Sequence, residues 1–204
     1  MKDCFELLGE VRRPWLEPEA LKQKFLGLSA QHHPDRVHRA MEGEKNEAQQ
    51  RFTELNAAYN RLRDPKDRLL HLLELELGAR PRDVQHIPEE LLAFFSEVRQ
   101  GCRDADLLLA DKGKVTSPLL GVQIFDRAQE QLEKLAAIQQ RISSQRENLL
   151  ARIQEIDRDW GTIPPGNRPE RNTALQQLEE LYRLLSYFTR WQTQLQERIS
   201  QLAI

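Results

Sequence analysis

Phe25-Leu-Gly-Leu-Ser-Ala-Gln-His-His-Pro-Asp-Arg36 decides how this chain is read, because its His33-Pro34-Asp35 stands between two helical patterns. Before it, Leu21, Phe25, Leu28 and His32 recur at four, three and four. After it, Ala48, Phe52, Leu55, Tyr59 and Leu62 keep the same rhythm. That spacing gathers side chains on one face of a helix. A connection of roughly ten residues obliges two such helices to lie antiparallel, stripe against stripe. The tripeptide then belongs at the open end of a hairpin. Pro34 fixes its own φ and drives His33 out of helical geometry. Asp35 is free to offer a carboxylate to a fork of guanidinium donors on a partner.

Composition narrows the class. The chain has 204 residues, 30% of them charged and 6% aromatic, with Leu, Glu, Gln and Arg abundant, which predicts an all-α protein. A formal net charge of −2 argues against nucleic acid as the main partner. No run approaches the ~20 apolar residues of a membrane helix, and Met1-Lys-Asp-Cys-Phe5 lacks the apolar core of a secretory signal. Two distant cysteines, Cys4 and Cys102, fit small core residues of a cytoplasmic protein. Neither they nor the cluster of His32, His33 and His38 has the frame of a metal site. No nucleophile–base pair or phosphate loop is legible, so we expect neither an enzyme nor a cofactor.

Asp64-Pro65 starts a helix rich in leucine (Leu69, Leu70, Leu72, Leu73, Leu75, Leu77), which Gly78 ends as a left-handed cap. Residues 78–87 read as a linker. Pro88 opens a helix bearing Leu91, Leu92, Phe95, Val98 and Cys102, and Ser117-Pro118 opens the longest helix, to about Trp160. The latter holds a heptad seam through Ala128, Leu132, Leu135, Ile142, Leu149, Ile153, Ile156 and Trp160, interrupted by Gln139 and Arg146. Gly161 to Pro169 is a turn. The last helix widens its stripe with Leu181, Leu184, Phe188 and Trp191, which favours an elongated antiparallel three-helix bundle.

The ordered set Phe5-Glu-Leu-Leu-Gly9, Phe25 to Arg36 and Phe52-Thr-Glu-Leu-Asn-Ala-Ala-Tyr-Asn-Arg-Leu62 resembles the J-domain. The J-domain stimulates ATP hydrolysis by 70-kDa heat-shock chaperones. The resemblance implies a J-domain over 1–77 that meets its chaperone through His33, Pro34, Asp35 and Arg36, with Lys22 and Lys24 on the preceding helix. One departure stands out: Leu26, Gly27 and Gln31 occupy positions where the family often carries basic residues.

A bundle directly after that module, without glycine-rich or zinc-binding segments, is similar to the HscB family of iron–sulphur co-chaperones. The junction Leu62 to Gly78 and the segment Pro88 to Arg99 carry this likeness. It implies a client-binding bundle over 88–204, with Leu91, Leu92, Phe95 and Arg99 meeting an IscU-like scaffold protein. The same spacing also suits residues half-buried in the bundle. The alternative is a J-domain adaptor whose long hairpin is a coiled-coil arm for another client or for self-association.

Overall fold

The computed structural model describes residues 2–32, 42–81, 89–113, 117–163 and 168–203. Among them every element is helical: α1 (Cys4–Leu7), α2 (Pro18–Gln31), α3 (Glu42–Arg63), α4 (Pro65–Leu77), α5 (Leu92–Lys112), α6 (Pro118–Trp160) and α7 (Arg168–Leu202). The expected all-α architecture is therefore present.

Helix ends follow local chemistry. Asp3 caps α1 by accepting from the backbone N–H of Phe5 at 2.8 Å, and Asp64 caps α4 by accepting from Asp67 N–H at 3.0 Å. Pro18 and Pro65 each occupy a first helical position, where the missing N–H costs nothing. Gly78 ends α4 at φ 70°, a conformation that a side chain would disfavour. The Pro88 start lies outside the described residues. A 3-10 turn, Glu89–Leu91, precedes α5, which begins at Leu92.

The chain forms two compact units: Met1–Pro81 with Leu150–Arg183, and Arg82–Leu149 with Leu184–Ile204. In the first, Leu21, Leu55, Ala58 and Leu62 are buried between α2 and α3, and Phe25 stacks on Tyr59 with ring centroids 4.2 Å apart. The core continues through Phe5, Leu8, Leu69, Leu72 and Leu73. The leucine run of α4 conceals two buried polar residues. His71 accepts a hydrogen bond from Cys4 N–H on Nε2 at 2.9 Å and stacks beside Phe5. Burial, then the charge of Arg61, pushes its pKa down, so the neutral ring that this bond requires is favoured. Arg68 donates to the carbonyls of Pro14 (2.9 Å) and Leu62 (2.8 Å). It also lies 5.3 Å over Trp15, and burial lowers its pKa to about 10.

The tip of the α6–α7 hairpin, assigned from sequence to the 88–204 bundle, groups with these N-terminal helices because polar contacts tie it there. Buried Asp157 accepts from Arg13 and from Trp15 N–H. Trp160 Nε1 donates to Arg12 O at 2.9 Å. Arg171 lies 3.3 Å over the Trp160 ring and pairs with Glu76 of α4 at 3.0 Å.

The second unit is a three-helix bundle. Phe94, Phe188 and Trp191 form an aromatic cluster linking α5 and α7. Gly101 lets α6 approach α5 closely: a Cβ there would meet Leu135 at 3.1 Å and Ile138 at 3.3 Å. The polar interruption at Gln139 is satisfied by Gln196 of α7 across the seam, at 2.9 Å.

Gly27 gives a testable stability difference. It lies mid-α2, and a Cβ built there meets nothing within 4 Å. Gly27→Ala should therefore add about 1 kcal/mol by restricting the unfolded chain, read as a rise in the denaturant midpoint. No gain would mean that α2 needs glycine for a reason other than space.

Candidate functional site

The α2–α3 hairpin and the outer face of α5 carry the residues singled out from sequence. His33, Pro34, Asp35 and Arg36 lie outside the described residues, as does His38. What is described is the frame around them. α2 ends at Gln31, with His32 N–H bonded to Leu28 O at 3.2 Å, and α3 is helical from Glu42. The antiparallel stripes meet as their spacing predicts.

The two lysines on α2 are not bare charges. Lys24 pairs with Glu10 at 2.9 Å and donates to Gly9 O at 3.1 Å. Lys22 lies 3.8 Å from Glu19, a weak pair one turn away. Leu26 is exposed on the same helix. Of the two, Lys24 is the one whose charge is compensated within the chain.

A groove near the start of α3 was not foreseen. His32, Glu44, Glu47, Ala48, Gln50, Arg51 and Glu54 line a space of about 480 Å³. A hydrogen bond from Lys2 holds the Glu54 carboxyl below its usual range. Its sequence signal is the spacing of Glu44, Glu47 and Glu54 along one helix. That pattern is indistinguishable from an ordinary solvated face until α2 is set beside it.

On α5 the four candidates separate. Leu91 is buried at 5% exposure and belongs to the core. It cannot meet a client from there without rearrangement. Leu92 is 48% exposed, Phe95 is half-buried and Arg99 is exposed. Arg141 flanks the start of the helix, 5.0 Å over the Phe94 ring and 2.8 Å from Glu97.

The DnaJ domain family matches residues 3–71. The co-chaperone protein HscB homolog of Paraburkholderia phytofirmans is 33% identical over 139 residues, covering 67% of this chain and 75% of that protein. The homolog of Chromobacterium violaceum is 29% identical over 105 residues, covering 51% and 60%. Among solved structures, chaperone HscB from Vibrio cholerae superposes with a TM-score of 0.63 at 17% identity, covering 98% of this chain and 99% of that one. Human co-chaperone protein HscB gives 0.63 at 16%, covering 97% and 82%.

The hairpin and the domain match define a J-domain co-chaperone. Within that class, the chain belongs to the HscB co-chaperone family.

Proposed function

We propose that this chain stimulates ATP hydrolysis by a 70-kDa heat-shock chaperone through His33-Pro34-Asp35, and delivers to it an IscU-like iron–sulphur scaffold held on α5. The observation that carries the reading is the α2–α3 pairing, with Phe25 stacked on Tyr59 and the tripeptide in the connection between them. Asp35 pairs with an arginine of the chaperone, while His33 and Pro34 set the direction of the loop. Hydrolysis itself belongs to the chaperone; this chain shifts the partner's conformational equilibrium. Lys24 is engaged within the chain, whereas Lys22 has only a weak pair with Glu19 and joins the tripeptide and Arg36 in docking. Single-turnover ATP hydrolysis by the chaperone, with and without this protein, tests the reading directly.

The client surface consists of Leu92, Phe95 and Arg99, with Leu91 as their footing in the core. Leu92→Ala with Phe95→Ala should weaken scaffold binding at least tenfold, about 1.4 kcal/mol or more, while thermal stability stays close to wild type. Unchanged titration calorimetry with the scaffold would remove α5 as the client face. A large fall in stability would show that these side chains serve the core instead.

A further inference from the structure

A buried imidazole that the docking chemistry does not use lies against the start of α1. This helix is only four residues long, Cys4–Leu7, too short to hold itself. It depends on outside acceptors for the amides of its first turn. Asp3 Oδ1 accepts from Phe5 N–H at 2.8 Å and from Glu6 N–H at 3.4 Å, and Asp3 O accepts from Leu7 N–H at 3.1 Å. The remaining amide is that of Cys4, and its acceptor comes from α4: His71 Nε2, at 2.9 Å. The cap of α1 is thus completed by a side chain 67 residues away.

That acceptor works in one protonation state. Nε2 accepts only while it carries no hydrogen, so the hydrogen of the neutral ring is on Nδ1. The ring is 0% exposed, and Nδ1 has no hydrogen-bond partner among the described residues. An apolar residue would avoid that unpartnered N–H but would leave the Cys4 amide without an acceptor. A proton on Nε2 sets N–H against N–H across 2.9 Å. The surroundings do little to accommodate the added charge. Asp3 Oδ1, 3.9 Å from Nε2, is already committed to two amides, and its other oxygen to Arg12 at 2.7 Å. Despite burial, Arg12 and those amides hold the Asp3 carboxyl below its ordinary range. Arg61 of α3 and Glu74 of α4 are paired with each other at 2.6 Å and act on the ring in opposite directions. The Cys4 thiol, pushed up by burial, stays neutral.

We propose that His71 is an acid-sensitive latch: its neutral ring pins the start of α1 to α4, and uptake of one proton releases it. Linkage sets the direction. In the unfolded chain the imidazole takes its proton near pH 6.5. In the fold, burial and then the charge of Arg61 hold it below that value. The unfolded chain therefore binds more protons on the acid side. Stability from the latch is complete well above pH 6.5 and is lost as pH falls below it. For one proton the limit is about tenfold in the unfolding constant per pH unit. Asp3 gives up its own contribution only below about pH 5.

Nitrogen-resolved NMR of the full chain, from about pH 8 to about pH 5, tests the latch on wild type. His71 should show the Nδ1–H tautomer at the alkaline end and titrate below 6.5, with the Cys4 amide shifting at the same midpoint. Denaturant unfolding adds His71→Gln, whose amide oxygen accepts from Cys4 N–H at every pH. Between about pH 7 and about pH 5 the wild-type unfolding constant should rise roughly tenfold more than that of the variant. A ring with its hydrogen on Nε2 at the alkaline end, a midpoint at or above 6.5, or a Cys4 amide indifferent to the titration would overturn the proposal. An equal acid response in His71→Gln would overturn it as well. The NMR titration is read on wild type, so it stands independently of how well the variant folds.

Discussion

Replacing His33 with Gln should abolish stimulation of the chaperone's ATPase while leaving the helical signal and the melting temperature unchanged. His33 lies in sequence between α2 and α3. The hairpin is held by Leu21, Leu55, Ala58 and Leu62 and by the Phe25–Tyr59 stack. None of these depends on the imidazole. Gln keeps a polar group of similar reach but loses the ring and its hydrogen-bonding geometry, so any effect falls on the contact with the chaperone. The expected loss is large because docking has few other anchors: Lys24 is tied to Glu10 and Gly9, and Leu26 presents no charge. Stimulation falling at least tenfold, in a single-turnover assay under saturating ATP, is the expected result; that corresponds to about 1.4 kcal/mol or more. Stimulation equal to wild type would sink the reading of the tripeptide as a docking loop. If stimulation and helicity fell together, the residue would be structural.

Much of this fold was legible because its strongest signals are local. Step-four and step-three apolar spacing announces α2 and α3, and Asp64-Pro65 with Gly78 marks both ends of α4. Ser117-Pro118 and the glycine- and proline-rich segment after Trp160 bracket α6 in the sequence. What escaped depends on residues distant in sequence. The leucine run of α4 reads as uniformly apolar, yet it buries Arg68 under the Pro14–Trp15 segment and His71 against Cys4. Nothing in the run distinguishes these two from solvated polar positions. Leu91 and Leu92 are neighbours with the same side chain, but one is core and the other surface. That choice is made by where the 3-10 turn gives way to α5, a boundary that periodicity does not fix. Gln139 reads as a flaw in the heptad seam until Gln196 is seen opposite it.

The strongest tie that sequence could not reveal leads to a second large effect: Asp157→Ala should destabilise the protein by about 2–3 kcal/mol. Asp157 reads as one more acid on a charged helix, but it is only 5% exposed. Its carboxylate accepts from Arg13 Nε at 3.0 Å, from a second Arg13 nitrogen, and from Trp15 N–H at 3.0 Å. The bond to Asp157, against the cost of burial, raises the Arg13 pKa. Removing the carboxylate forfeits charge-assisted bonds, each stronger than a neutral one, and leaves the Trp15 amide without its acceptor. The half-exposed Arg13 guanidinium can return to water, which keeps the loss below the 3–5 kcal/mol of a fully buried pair. Arg13→Ala should cost about as much, about 2 kcal/mol, because the buried Asp157 carboxylate then loses its cation although it still accepts from the Trp15 amide. The damage should also spread along the Pro14–Trp15 segment, because Arg68 bonds Pro14 O and lies over the Trp15 ring. Hydrogen exchange at the Trp15 amide should therefore accelerate in Asp157→Ala and stay slow in Arg13→Ala. Loss of less than about 0.5 kcal/mol, within the scatter of ordinary surface substitutions, would show that this carboxylate does not hold the hairpin tip to the N-terminal helices.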